Sequence, residues 1–327
     1  MTIDEFDKDY NKSNKYLIDG IETYIEDSKS ANTKKAYKDD WNHFRKYCDW
    51  SKAKSLPADY PTVSKYLVYL ANDRKFKVST IERKLSSIIS KHREELHSID
   101  RKHKLIKNVL DGIKRKHGTK PESSKALSLD EIKKIIDTID EKEKNNINLR
   151  NLRDKSLILI GFLGGFRRSE LVDLSYEDIE MDLEGLKILI KKSKTDQRGT
   201  GSHTKGILKS SVGPEYCPVF NYKKWINISG ISSGKIFRQI DRSNKILDKL
   251  SDKAVALILK WRAEKAGINS DKLAGHSMRS GIVTSLAKEG VNENEIKKIT
   301  GHRSSQMVQR YIQDAEIFDN ATKLLDL

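Results

Sequence analysis

The chain has 327 residues, with 63 lysines and arginines against 47 aspartates and glutamates, a formal net charge of +16 that points to a polyanionic partner. The length suits about two domains, and 36% hydrophobic residues suffice for ordinary cores. No apolar run approaches the roughly 20 residues needed to cross a bilayer, the acidic N-terminus lacks an apolar signal core, and Cys48 and Cys217 stand far apart, so free thiols in a reducing cytoplasm are expected.

Residues 1–29 hold 4 basic and 8 acidic residues and read as a tail or a peripheral helix. The charge reverses from 30 to 120, where 23 basic residues face 10 acidic ones. Over 30–117 the pattern is helical. Val63, Tyr66, Leu67 and Leu70 share one face, as do Ile81, Leu85, Ile88 and Ile89, and Ser79 with Glu82 predicts a capping box. A helical bundle here places Lys34, Lys35, Arg83, Lys84, Lys91 and Arg93 as candidates to meet a duplex, with a solvated basic face as the bland alternative.

Residues 118–126, within His117-Gly-Thr-Lys-Pro-Glu-Ser-Ser124 and beyond, form the expected linker. A second domain, 127–327, opens with Ser128 and Glu131 as a capping box before Ile132, Ile135, Ile136 and Ile139. Ser156 to Phe166 is apolar nearly all round and predicts a buried helix that delivers Arg167. Leu186–Lys191 and Thr204–Leu208 are the good strand candidates, joined by a polar turn that contains Lys194. Helical patterns return from about Ser251 to the end, and no internal repeat points to a solenoid. The fold class expected is mostly α with a small β-hairpin or sheet.

Four short motifs carry the chemistry: Arg167-Arg-Ser-Glu170-Leu, His276-Ser-Met-Arg279, Gly301-His302, and Tyr311 in Gln309-Arg-Tyr-Ile-Gln-Asp. Arginine forks bind phosphate oxygens bidentately and stay charged at any working pH. A tyrosine can attack phosphorus and hold the product covalently. Two arginines, two histidines and a tyrosine therefore suit metal-free chemistry on a phosphodiester. Each motif alone has a bland reading as a surface ion pair, a helix cap or a half-buried aromatic. Their joint order is what departs from chance.

The set resembles the tyrosine recombinases (phage integrases), with the nearest likeness to Cre-type members, over about 30–327. In the N-terminal half the likeness rests on Asn32-Thr-Lys-Lys-Ala-Tyr37-Lys-Asp-Asp-Trp41, Ser79-Thr-Ile-Glu-Arg-Lys-Leu85 and Asp111-Gly-Ile-Lys-Arg-Lys-His-Gly118. The resemblance implies a helical DNA-binding domain and a mixed α/β catalytic domain that close as a clamp on DNA. It implies strand exchange at specific sites through a 3′-phosphotyrosine and a Holliday junction, without cofactor or metal. It also implies a homotetramer on double-stranded recombination sites, with room for accessory DNA-bending proteins and a nucleoid-associated cytoplasmic location. Arg167 and Arg279 become the phosphate clamp, with Arg168 as the competing neighbour. Glu170 orients the site, His276 and His302 donate to phosphate oxygens, and Tyr311 is the nucleophile. Many Cre-type proteins have tryptophan where His302 stands. Lys194 matches the hairpin lysine that protonates the leaving oxygen, but Lys191, Lys192 and Lys205 lie close enough to compete. The tail from Phe318 to Leu327 is an amphipathic helix candidate that packs on its own domain or, by the resemblance, on a neighbour.

Three other functions fit parts of the pattern. A type IB topoisomerase uses similar residues, although the helical N-terminal half argues against it. A silent DNA-binding protein has no use for the six catalytic-type residues together. A metal nuclease needs a carboxylate cluster beside the histidines.

Overall fold

Ser30 opens the first helix: its backbone is extended and its Oγ accepts from the Thr33 N–H at 3.3 Å, which satisfies one donor left free in the first turn. The computed structural model describes residues 30–119, 124–141, 148–191, 203–301 and 305–315. The expected N-terminal tail, the C-terminal helix candidate from Phe318, and the site candidates Lys194 and His302 lie outside them, as does Lys192. The chain divides into two compact units between residues 122 and 123.

Among the described residues the first unit is four helices, α1 (Ala31–Ser51), α2 (Tyr60–Asn72), α3 (Val78–Glu94) and α4 (Lys104–His117). The apolar faces expected from periodicity form its core. Val63, Tyr66, Leu67, Leu70, Ile81, Leu85 and Ile88 are fully buried, and Ile89 packs at the margin. Phe44 and Tyr66 meet edge to face at 4.9 Å between centroids, in an aromatic core that α1 and α2 share. The expected Ser79–Glu82 box does not form. The helix starts two residues earlier, behind Lys77, so Ser79 sits inside the first turn, while Glu82 pairs with Arg101 at 2.8 Å and Lys114 at 2.9 Å.

Two polar ties cross this core. Asp40 on α1 takes Lys84 at 3.0 Å and Arg83 at 2.8 Å from α3. Buried His92 accepts the Ala58 N–H on Nε2 at 2.9 Å, so its proton is on Nδ1, which donates to the Ile88 carbonyl at 2.8 Å.

The second unit already includes the end of the expected linker, because Lys125 and Leu127 donate backbone N–H groups to Lys272 and Ser277 at 2.9 and 3.1 Å. The Ser128–Glu131 box does form, with both bonds present at 3.2 and 3.0 Å, and starts α5 (Leu129–Glu141). α6 (Leu149–Leu163) runs through the core. Its first half buries Arg153, Asp154 and Lys155 as well as apolar residues. Asp154 accepts from Arg153 at 2.6 Å and from Arg262 at 2.8 Å, so the buried charges are paired.

After α7 (Arg168–Asp173) and a 3-10 turn at Tyr176–Asp178, the strands β1 (Ile179–Met181), β2 (Gly185–Ile190) and β3 (His203–Leu208) form an antiparallel sheet in that order. Ile188 is paired opposite Lys205. α8 (Pro218–Ser229) packs on α6, and β4 (Arg238–Ile240) pairs with β5 (Ile246–Lys249). The strands β1, β4 and β5 go beyond the two expected. With three or four residues each, they are too short to show an alternation and exist through their partners. The helical remainder is α9 (Asp252–Lys265), α10 (Ser277–Lys288), α11 (Glu293–Thr300) and α12 (Ser305–Ala315). Among the described residues no helix is long and apolar enough to cross a membrane.

Candidate active site

The buried helix α6 ends at Gly164–Gly165, and Gly165 turns with φ +55°, a conformation that favours glycine. A Cβ there would meet Thr300 Cγ2 at 3.0 Å, so the close approach of the α11 end also favours glycine at this position. Phe166 then anchors the chain in the core, and Arg167 caps α7. Glu170, itself buried, accepts the Arg167 backbone N–H at 3.0 Å and its Nη1 at 2.5 Å. One carboxylate therefore both starts the helix and fixes the guanidinium.

Arg279 arrives from the first turn of α10 and is buried. Its Nη1 donates to the carbonyl of Gly165 at 2.6 Å and to that of Thr300 at 2.5 Å. Burial, then the nearby Arg167 charge, lowers its pKa to about 10, while Glu170 and Tyr311 oppose the shift. It remains a cation at neutral pH. Tyr311 on α12 is half-buried against Val283, Ala287, Ile296 and Val308, a small apolar cluster that holds α12 on α10 and α11. Arg167 and Tyr311, carried by two other elements, are thus near enough for their charges to act on Arg279.

His276 occupies the cap position of α10 and is exposed; its carbonyl accepts both the N–H and the Oγ of Ser280, at 2.8 and 2.9 Å. Arg168 runs a different course from Arg167. It lies against Gly275, where a Cβ would meet its Cδ at 2.5 Å, and its Nε reaches Asp252 at 3.2 Å. Gly301 ends α11 in the left-handed conformation, φ +69°, immediately before the His302 position.

Lys205 is the functional-looking residue whose setting the sequence did not disclose. It is buried on β3, its Nζ donates to the Gly164 carbonyl at 2.6 Å and to the Thr300 carbonyl at 3.4 Å, and it lies 4.7 Å from the Phe166 ring centre. Burial lowers its pKa to about 7; Arg279 and Arg167 push the same way and Glu170 opposes them. Strand alternation was the available signal, since Lys205 shares a face with buried Ile207. Lys191, another competitor for the hairpin role, is exposed and pairs with buried Asp178 at 2.5 Å, which raises its pKa.

In the first unit Lys34, Lys35, Arg83 and Arg93 are exposed, and Lys91 is half-buried and paired with Glu95 at 2.6 Å. Lys84 leaves the set of surface candidates. It is buried, with its ammonium on Asp40 and 5.4 Å from the Phe76 ring centre, because it falls on the inward face of α3 with Ile81 and Ile88. Arg115 and Lys116 in the last turn of α4 are also exposed, while Lys114 pairs with Glu82 at 2.9 Å.

The model of the Phage integrase family matches residues 125–316. The chain is 36% identical over 302 residues to an integrase/recombinase xerD homolog of Selenomonas ruminantium, covering 91% of this chain and 86% of the relative. It is 24% identical over 288 residues to tyrosine recombinase XerC of Leptospira interrogans, covering 88% and 85%. In fold it is similar to lambda integrase (residues 75–356) solved as a dimer on a COC' core site, with TM-score 0.57, 14% identity, and 92% and 95% coverage. It is also similar to the XerH site-specific recombinase in a post-cleavage complex with palindromic difH substrate, with TM-score 0.55, 18% identity, and 80% and 73% coverage. These matches establish the tyrosine recombinase family and do not specify a subgroup. With that match and the arginine–tyrosine group in place, the chain belongs to the phage integrase family and is a tyrosine recombinase, an enzyme that cleaves and rejoins DNA at specific sites.

Proposed function

We propose that Tyr311 attacks a phosphodiester of double-stranded DNA while Arg167 and Arg279 bind its nonbridging oxygens. The phenolic oxygen forms a bond to phosphorus and the bond to the 5′-oxygen breaks, leaving a 3′-phosphotyrosine. The phenol's proton passes to His276, and Lys194 supplies one to the departing 5′-oxygen. His302 donates a hydrogen bond to the phosphate, and Glu170 holds Arg167 in place. The covalent bond conserves the energy for rejoining, so the 5′-hydroxyl of a second duplex can reverse the step and pass through a Holliday junction.

One observation carries the assignment of the clamp. Arg279 is hydrogen-bonded to the carbonyl two residues before Arg167 and is coupled to both Arg167 and Tyr311. Fixed cations aimed at charge that grows in the transition state supply the largest catalytic contribution of this kind. A homotetramer on DNA, both units binding the duplex, a nucleoid-associated cytoplasmic location, and help from DNA-bending proteins complete the proposal. Exposed Lys34, Lys35, Arg83 and Arg93, with half-buried Lys91, are the first-unit phosphate contacts in it.

The test is covalent capture. A pool of nicked duplexes with randomised sequence is incubated with the chain in the presence of EDTA, denatured, and DNA still attached to protein is sequenced. An adduct at one sequence, joined through its 3′-phosphate to Tyr311, is expected. Nicking without attachment would overturn the mechanism.

A further inference from the structure

A lysine buried beside two arginines needs a reason, because a desolvated cation costs free energy and like charges raise that cost. Among the described residues Lys205 makes no ion pair with a carboxylate; Glu170, which opposes the arginines, has its oxygens on Arg167. The ammonium is held instead by backbone carbonyls. Those carbonyls are informative. Lys205 takes Gly164, and Arg279 takes the adjacent Gly165; both cations reach Thr300. Gly164–Gly165 leads directly into Arg167, and Thr300 leads into the His302 position. Lys205 itself belongs to β3, the strand paired with β2, and Lys194 falls in the sequence between the two strands.

We propose that Lys205 is a positioning residue: its ammonium pins the β2–β3 hairpin to the same backbone segments that seat Arg279, so that hairpin and arginine pair are aligned as one unit. The proposal rests on the phosphate-clamp reading of Arg167 and Arg279. Lys205 acts through the arginines and does not touch the reacting atoms. The groups that face it are Arg279 from α10, Arg167, Glu170 and the Phe166 ring from the segment around α7, and the Thr300 carbonyl from α11. A passive core lysine in this place would be better replaced by an apolar side chain of equal length.

The experiment compares the wild-type chain, Lys205→Met and Lys205→Arg on the duplex selected by covalent capture, made in three forms. The first has an ordinary scissile phosphate. The second has a neutral methylphosphonate there, which removes the anionic oxygen that the arginines serve. The third has sulfur in place of the leaving 5′-oxygen and needs little help from an acid. Lys205→Met is expected to bind the duplex as tightly as wild type but to form adduct about 10²-fold more slowly on the ordinary substrate, the cost of a misplacement on the order of 1 Å. Most of that defect should vanish on the methylphosphonate and persist on the sulfur substrate, and Lys205→Arg should recover part of the ordinary rate.

Rescue by sulfur would make Lys205 the proton donor and overturn the positioning role. An equal defect on all three substrates would reduce it to fold maintenance, and no defect would make it passive. Should Lys205→Met fail to fold, Lys205→Gln, which keeps a donor without the charge, gives the same three comparisons. A wild-type chain that captures no DNA overturns the clamp reading and this proposal together, whereas capture by wild type with a wild-type Lys205→Met overturns this proposal alone.

Discussion

Arg279 and Gly165 are 114 residues apart in sequence and are joined by a 2.6 Å hydrogen bond from Nη1 to the carbonyl oxygen. The bond places the α10 arginine beside the turn that delivers Arg167, and neither side chain needs the other's charge for its own placement. Glu170 fixes Arg167, and the Gly165 and Thr300 carbonyls fix Arg279. Two cations that repel one another are thus each held by their own partners.

Removing either cation should be severe. Arg279→Ala or Arg167→Ala should lower adduct formation by at least 10²–10³-fold, roughly the cost of one lost oxyanion donor, and more because each carries a full charge. Arg168→Ala should change the rate little, since its guanidinium is on Asp252. Single-turnover adduct formation on captured DNA measures all three. A larger loss in Arg168→Ala than in Arg167→Ala would reverse the assignment across this pair.

Tyr311→Phe removes one oxygen and leaves the ring that packs with Val308 and Ile296. The variant should fold, bind DNA with near-normal affinity in a gel-shift titration, and give no covalent adduct on a denaturing gel. Adduct from the phenylalanine protein would put the nucleophile elsewhere.

The parts of this site that were legible in sequence are those whose chemistry is tied to fixed short spacing. Arg167 to Glu170 is one helical turn, and the structure uses it as a cap and an ion pair at once. Ile132, Ile135, Ile136 and Ile139 likewise repeat at helical spacing and are buried. Lys205 was legible as a neighbour of Lys194 and, by strand alternation, as sharing a face with Ile207, but its role was not. Its partners are backbone carbonyls 41 and 95 residues away, and carbonyls leave no trace in a sequence. Lys84 misled for a related reason. Its charge suggests a surface residue, yet its spacing to Ile81 and Ile88 places it on the buried face of α3, opposite Asp40. The strands β4 and β5 carry no usable alternation in three and four residues, so only pairing defines them.

Acid should weaken the first unit through His92. Burial is the main cause of its lowered pKa, and the charge of His97 adds to it against the Ile88 carbonyl, which favours the protonated ring. The folded state therefore binds this proton less readily than the unfolded chain, whose histidine titrates near the ordinary 6.5. The stabilisation is complete above that value and is lost as pH falls from it toward the folded-state pKa. His43, also lowered mainly by burial and then by Lys84, acts in the same direction. The urea midpoint should drop between pH 7.5 and 5, and the drop should shrink in His92→Gln. An equal drop in the variant would show that the Ala58–His92–Ile88 tie is not what titrates.

A buried lysine and two exposed ones in the first unit should respond differently to salt. Lys34 and Lys35 lie exposed near the start of α1, where each can neutralise one DNA phosphate. Replacing both by alanine should reduce the slope of log affinity against log salt by about 2, since each phosphate contact contributes about 0.9. Lys84→Met should leave that slope unchanged, because its ammonium is already held by Asp40 at 3.0 Å inside the core. Its cost should appear in stability instead. Asp40 would keep Arg83 at 2.8 Å but lose its buried partner, and the penalty should be about 3 kcal/mol, the lower end for breaking a buried pair. Binding to a random-sequence duplex at several salt concentrations, with urea unfolding of the same proteins, measures both effects. A reduced salt slope for Lys84→Met with unchanged stability would return Lys84 to the DNA surface, and with it the α3 face that the Asp40 pair now closes.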